Sequence, residues 1–199
     1  MNGFEKRAAL IKDKIMKTTL DMLGTWEPKK MRIADIAKAA GVSQVTIYNY
    51  FGSKEALLQE TFKDFIQRSI REYEDFITGK PSLKQIIEYT FVKEKEAYAV
   101  LPVGIVKELM IDNPEMFSYV ETEYQNQVIP LIVKMVEDGK ASGEISGKVS
   151  VSAVLFFLQI YLRSAGEMLE TARKQEDMDA FLEEVVHLFY YGICGVEQT

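Results

Sequence analysis

Between Ser43 and Lys54 the chain sets Gln44, Val45, Thr46, Tyr48, Asn49 and Tyr50 around two apolar residues, Ile47 and Phe51, spaced four apart. That spacing turns Ile47 and Phe51 to one side of a helix and leaves the others on or beside the opposite face. The chemistry of that outer face is edge recognition. A Gln44 amide can engage N6 and N7 of an adenine together, a contact worth about 1–3 kcal/mol of discrimination. Val45 and Thr46 offer methyl groups to thymine, and Asn49 can read a base edge or touch the backbone. A helix of about two turns has little packing reason to carry such a face. As the second helix of a helix-turn-helix it would lay that face in a major groove.

The residues on either side supply what such a unit needs. Ile33, Ile36, Ala37 and Ala40 fall on one side of a preceding helix. Gly41 permits the left-handed backbone that ends a helix without a Cβ clash. Ser43 is a good N-cap for the reading helix, since its hydroxyl can accept from a free backbone N–H. Gly52 closes the unit and Ser53 can cap the next helix. Ahead of it, a first helix from about Phe4 to Leu23 places Ala8, Ile11, Ile15, Met22 and Leu23 near one stripe. Lys12, Lys14 and Lys17 lie mainly elsewhere and serve solvation; Lys6 and Arg7, at the front, either do the same or approach phosphate. Gly24 stops this helix, and Thr25 to Met31 forms a loop into the reading unit.

These stretches resemble the DNA-binding domain of the TetR family of bacterial transcriptional regulators. The shared pattern is Ile33-x-Asp35-Ile36-Ala37, then Ala40-Gly41-Val42-Ser43, Ile47-Tyr48-x-Tyr50-Phe51 and Ser53-Lys54-Glu55-x-Leu57-Leu58. It spans roughly the first 65 residues; beyond them only length and a helical pattern agree. The resemblance implies that Ser43 sits against the DNA backbone, that the Tyr48 and Tyr50 hydroxyls bond phosphate, and that Lys54 is a phosphate-binding lysine. It also implies that Trp26 packs under the head as core. Where family members have a threonine cap before the second helix, this chain has Arg32, so that cap is lost or moved. An arginine there can grip phosphate as a charge-assisted donor.

Charge is split along the chain. Residues 1–54 hold ten Lys and Arg against five Asp and Glu, whereas residues 55–199 hold 14 against 25, with a total of −6. A basic head on an acidic remainder suits contact with nucleic acid at one end only. The single cysteine, Cys194, excludes an internal disulfide and fits a reducing cytoplasm. The chain opens on the charged stretch Phe4-Glu5-Lys6-Arg7 rather than a signal peptide. Its longest apolar stretch, Val149 to Leu162, is too short to span a bilayer. Glu184 and His187 have the Glu-x-x-His spacing of helical di-iron proteins, but such sites need the motif twice and this chain has one histidine. No phosphate-cradling glycine loop, zinc spacing or nucleophile elbow is present, so no enzyme and no cofactor are expected.

The remainder reads as helices: a long one from Ser53 to about Thr78, one from Ser82 to about Leu101, a short one from Pro102 to Ile111, and one from an Asn113-Pro114 start to Asp138, bent at Pro130. Residues 139–148 read as a turn, followed by helices at about Val149–Lys174 and Asp177–Ile193. The expected fold is all-α, about nine helices, with a three-helix head (residues 1–52) and a helical effector-binding and dimerisation body (residues 53–199). Val154, Phe157, Leu158, Tyr161 and Leu162, with Phe181, Val185, Leu188 and Phe189, exceed what a small body hides and suit a homodimer interface. A dimer would present two heads to a palindromic operator. By resemblance the body also holds a cavity for a small-molecule effector. Phe62, Tyr89, Phe91, Tyr98 and Met110 are lining candidates, with Phe117, Tyr124, Phe156 and Tyr161, though such residues at helical spacing are more often plain core. The expectation is a cytoplasmic regulator, a repressor released from double-stranded DNA by an unidentified effector.

Overall fold

The computed structural model describes residues 3–111, 113–172, 174–177, 180, 181, 183–185, 187, 188 and 191, with backbone alone for 4, 111, 161–163, 165, 166, 169 and 170. Among them there are helices and no strand. The helices are α1 (Gly3–Leu23), α2 (Ile33–Ala40), α3 (Gln44–Phe51), α4 (Lys54–Thr78), α5 (Leu83–Val100), α6 (Val103–Ile111), α7 (Pro114–Glu123), α8 (Ile129–Ser142) and α9 (Val151–Ala172). A 3-10 turn, Pro28–Lys30, sits in the α1–α2 loop. Beyond α9 the described residues 180, 181, 183–185, 187, 188 and 191 are helical, and Asp177 caps them by accepting from the Ala180 N–H at 3.0 Å.

Packing divides the chain into two units. One comprises Met1–Arg71 and Ala97–Glu121, the other Glu72–Glu96 and Thr122–Thr199. This is a division by packing and not by role, for α6 and most of α7 share the core of the head helices. That core joins Ile15 and Leu23 of α1, Ile33, Ile36, Ala37 and Ala40 of α2, Ile47 and Phe51 of α3, and Leu57, Leu58 and Phe62 of α4 to Leu101 and Met116. Polar contacts reinforce the apolar ones. Arg68 pairs with both Asp13 and Asp64, Lys12 with Glu60 at 2.8 Å, and Gln67 donates to the Tyr119 hydroxyl at 2.9 Å.

The second unit has its own core of Leu83, Ile87, Phe91, Val136, Ile145 and Val154. Ser82 and Gln85 form a capping box at the start of α5, and the Glu144 carboxylate accepts from the Leu83 N–H at 2.8 Å. Tyr89 stacks on Phe76 and meets Tyr73 edge-on, and burial pushes the Tyr73 phenol pKa upward.

Two helix ends differ from expectation. The helix begun at Pro114 does not bend simply at Pro130: a π-helical turn over Tyr124–Val128 separates α7 from α8, and the Ile129 N–H bonds the Tyr124 carbonyl five residues back. Pro130 has no N–H and its ring collides with a carbonyl four residues earlier in an α ladder, and widening the preceding turn relieves both. Residues 139–142, expected in a turn, continue α8 to Gly143, whose φ of 82° ends it. Gly139 lies inside that helix because Ile145 folds back on it; a Cβ there would lie 2.8 Å from Ile145 Cδ1.

Two stability predictions follow from these contacts. Thr61 is buried in α4 and its hydroxyl has no hydrogen-bond partner. A buried unpaired hydroxyl costs about 1–3 kcal/mol, so Thr61→Val, equal in shape, is expected to raise the unfolding free energy by about 1 kcal/mol in a denaturant titration. Gly41 has φ 63° and ψ 39° at the end of α2. Gly41→Ala places a Cβ in the left-handed region at a cost of about 1–2 kcal/mol, and a lower midpoint in the same titration is expected.

Candidate nucleic-acid interface

The reading unit is built by three local devices. Gly41 ends α2 in a Schellman pattern, with the Val42 N–H returning to the Ala37 carbonyl at 3.0 Å and the Gly41 N–H to Lys38 at 3.3 Å. Ser43 caps α3: its Oγ accepts from the Thr46 N–H at 3.0 Å and lies 2.8 Å from Thr46 Oγ1. Gly52 closes α3 with its N–H on the Tyr48 carbonyl, and Ser53 caps α4 by accepting from the Ala56 N–H at 3.0 Å. These are the caps that the residue types had indicated.

On α3 the two faces separate cleanly. Ile47 and Phe51 are buried. Gln44 and Asn49 are exposed, Val45 is 66 % exposed and Tyr48 49 %. An apolar Val and a Tyr held in solvent at a helix start, beside a Gln with its amide free of the fold, form a surface able to sit against base edges and phosphates. Thr46 is half-buried, and its hydroxyl is engaged with Ser43, which leaves its methyl as the group still to be used. Tyr50 is half-buried against the head core, with its ring edge-on to Phe51 at 6.5 Å.

The charged positions are more constrained than their types suggest. Arg32 stands at the N-cap of α2 with no side-chain cap bond. Its guanidinium instead makes a two-pronged pair with Asp35, at 2.8 and 3.0 Å. That hydrogen bonding raises the Arg32 pKa and lowers that of Asp35. The Arg32 side chain is 77 % exposed, so the pair stabilises little, and it sets a carboxylate against the guanidinium. Lys54 is half-buried, and its ammonium donates to the carbonyls of Pro28 and Met31, each at 3.2 Å. Lys6 and Arg7 are exposed, Arg7 bonding the Gly3 carbonyl.

Trp26 is not core. It is 43 % exposed, held in the turn after α1 by its N–H on the Met22 carbonyl, while Pro28 and Met31 fill the space under the head. The turn keeps Trp26 in helical phase on the outer side, and the chain comes back inward only two residues later. Lys29, which sequence reasoning passed over, lies 3.6 Å from Glu108 of α6; a lysine in a short loop carries no sequence signal for a partner so far along the chain.

The cavity and interface candidates scatter. Phe62 and Phe91 are close-packed in separate cores, and Met110 packs against the first. Tyr98 is half-buried, Tyr89 belongs to the aromatic stack, and Tyr124 is half-buried with its phenol pKa raised by burial. Phe117 and Phe156 are exposed. Val154, assigned to a dimer face, is 2 % exposed and belongs to the second core, with Leu158 and Val185 packed against it. Among the described side chains, the outward large apolar residues of α9 are Phe156, Phe157 and Ile160, joined as exposed residues by Leu188 and Tyr191, while Phe181 is half-buried. Val154 and Leu158 read as outward from sequence because α9 is apolar on two faces and periodicity alone does not say which one the monomer covers. The side chains of Tyr161, Leu162 and Phe189 lie outside the described residues. Glu184 and His187 are exposed, the His187 ring resting on Tyr191 at 4.3 Å, and the described residues contain no metal-holding cluster.

Comparison with known proteins agrees with this geometry. Residues 15–61 match the family model described as bacterial regulatory proteins, tetR family. The chain is 24 % identical over 154 residues, 74 % of each chain, to the HTH-type transcriptional repressor KstR2 of Mycolicibacterium smegmatis. It is 40 % identical over 55 residues, 28 % of this chain and 26 % of the relative, to the HTH-type transcriptional regulator AlkX of Mycobacterium tuberculosis. Among solved structures, FadR from Bacillus subtilis in complex with stearoyl-CoA superposes with a TM-score of 0.68 at 24 % identity, covering 90 % of this chain and 98 % of that one; this likeness speaks for the fold. A capped two-turn helix with a polar outer face, on an all-helical fold and inside the matched segment, identifies the chain as a DNA-binding transcriptional regulator whose residues 15–61 are similar to the helix-turn-helix segment of the tetR family.

Proposed function

We propose that this regulator is a repressor that reads its operator with α3 and leaves it when a small molecule binds. The observation that carries the reading is the division of α3: Ile47 and Phe51 are buried while Gln44, Val45, Tyr48 and Asn49 stand in solvent. Gln44 selects adenine, Val45 and the Thr46 methyl contact thymine methyl groups, and Asn49 reads an edge or touches the backbone. Tyr48 and Tyr50 bond phosphate with their hydroxyls, while Ser43 meets the backbone at the helix start. Residues 1–52 act as the reading head and residues 53–199 as the effector and dimer body. The repressor role is supported by the relative named a transcriptional repressor, and the effector role by the neighbour solved with stearoyl-CoA, a large acyl ligand.

A homodimer is supported by the apolar residues that α9 exposes, Phe156, Phe157 and Ile160, with Leu188. Two heads related by a two-fold axis would meet a palindromic site. The protein works by binding rather than catalysis and acts in the cytoplasm; among the described residues no helix is long and apolar enough to cross a membrane.

Selection of bound duplexes from random-sequence DNA tests this directly. The expected result is enrichment of an inverted repeat; a selected pool without sequence preference would overturn the reading. On the enriched duplex, Gln44→Ala is expected to lower discrimination at one base pair by about 1–3 kcal/mol while leaving nonspecific affinity intact. Tyr48→Ala should weaken binding to all sequences alike. Asp35→Asn releases Arg32 from its carboxylate, and tighter binding with a steeper salt dependence, by about 0.9 in the slope of log K against log salt per added phosphate contact, is expected in a titration across salt concentrations.

A further inference from the structure

We propose that Lys54 is a positioning residue that ties the two ends of the helix-turn-helix together, rather than a phosphate ligand. The inference starts from an electrostatic oddity. Lys54 is the first residue of α4, and a cation at a helix N-terminus faces the positive end of the helix dipole. Something must offset that placement. In this chain the offset is visible: the ammonium donates to the Pro28 and Met31 carbonyls, both at 3.2 Å, 26 and 23 residues away in sequence.

Those two carbonyls bracket the short turn that delivers the chain into α2. Met31 is anchored in the head core at 1 % exposure, and the next residue, Arg32, is the N-cap of α2. Lys54 itself follows the Gly52–Ser53 link that ends α3. The chain therefore enters the reading unit at 28–31, leaves it at 52–54, and is closed on itself by one side chain. Met31 and Arg32 are both extended, Met31 with φ −69° and ψ 135°, so the Met31 carbonyl lies outside any helical ladder and Lys54 is what satisfies it. Two of the three ammonium protons are used in this way. A residue so placed fixes the tilt of α2, and through the Gly41 turn that of α3, before DNA arrives.

The test replaces the ammonium and keeps the stem, with Lys54→Met. It rests on the DNA-binding reading for one of its two readouts only. On the duplex enriched by selection, affinity is expected to fall about ten-fold or more, as for loss of hydrogen bonds from a charged donor, with the slope of log K against log salt unchanged. Amide hydrogen exchange without DNA is expected to quicken at Lys30, Met31 and Asp35, and not at Val154 in α9. A slope smaller by about 0.9, the signature of one lost phosphate contact, would overturn the proposal, as would unchanged exchange around the turn. Should wild-type protein show no sequence preference for DNA, the regulator reading fails by itself and the exchange experiment alone decides about the clamp. If Lys54→Met does not fold, Lys54→Gln, which keeps a neutral donor, is read in the same two ways.

Discussion

The burial of Ile47 and Phe51 is the constraint on which the rest of the molecule depends. α3 is eight residues long, and an isolated helix of that length is unstable in water. It persists because those two side chains enter a core shared with α1, α2, α4, Leu101 and Met116, each burial contributing about 1.5–3 kcal/mol. With stability supplied from one face, the other face is released from any structural duty. Gln44, Val45, Tyr48 and Asn49 can then be chosen for what they touch outside the protein.

The same economy explains the surroundings of α3. Caps made by Ser43 and Ser53, a left-handed glycine at Gly41 and the short links between helices leave few backbone groups unpaired and little freedom of tilt. Recognition by a groove requires this, because a base-edge contact tolerates only small misplacement. Rigidity here comes from side chains bonded to the backbone: serine hydroxyls accept from N–H groups at the helix starts, and the Lys54 ammonium donates to carbonyls at the far end. Salt bridges add little: the Arg32–Asp35 pair lies in solvent, and the half-exposed Arg68 pairs with Asp64 of its own helix and with Asp13 of α1.

The first packing unit also changes how the head should be regarded. Leu101 at the end of α5 and Met116 in α7 lie in the same core as the recognition helix, and Ile105, Val106 and Leu109 of α6 pack against it. A displacement of α6 would be felt in the side chains that support α3 without a dedicated hinge. Leu101 and Met116, which belong to the acidic remainder by sequence, thus share the apolar interior of the first unit with the basic front.

Most of the head was written in the sequence. The four buried residues of α2, the inward pair of α3, Gly41 and the Ser43 cap follow from local spacing and backbone preference, which act over a few residues and need no knowledge of the rest. The fold class, the helices from α4 to α6 and the start of α7 were legible for the same reason. Tertiary structure decided what depends on residues distant in sequence: that Lys54 finds carbonyls at 28 and 31, that Arg32 spends its charge on Asp35, that Trp26 faces solvent while Met31 fills the core, and that Val154 points into its own monomer. Periodicity states that a helix has an apolar face, but when a helix has two, as α9 does, or when a flexible charged side chain has several acceptors within reach, only the packed arrangement of distant segments selects among them.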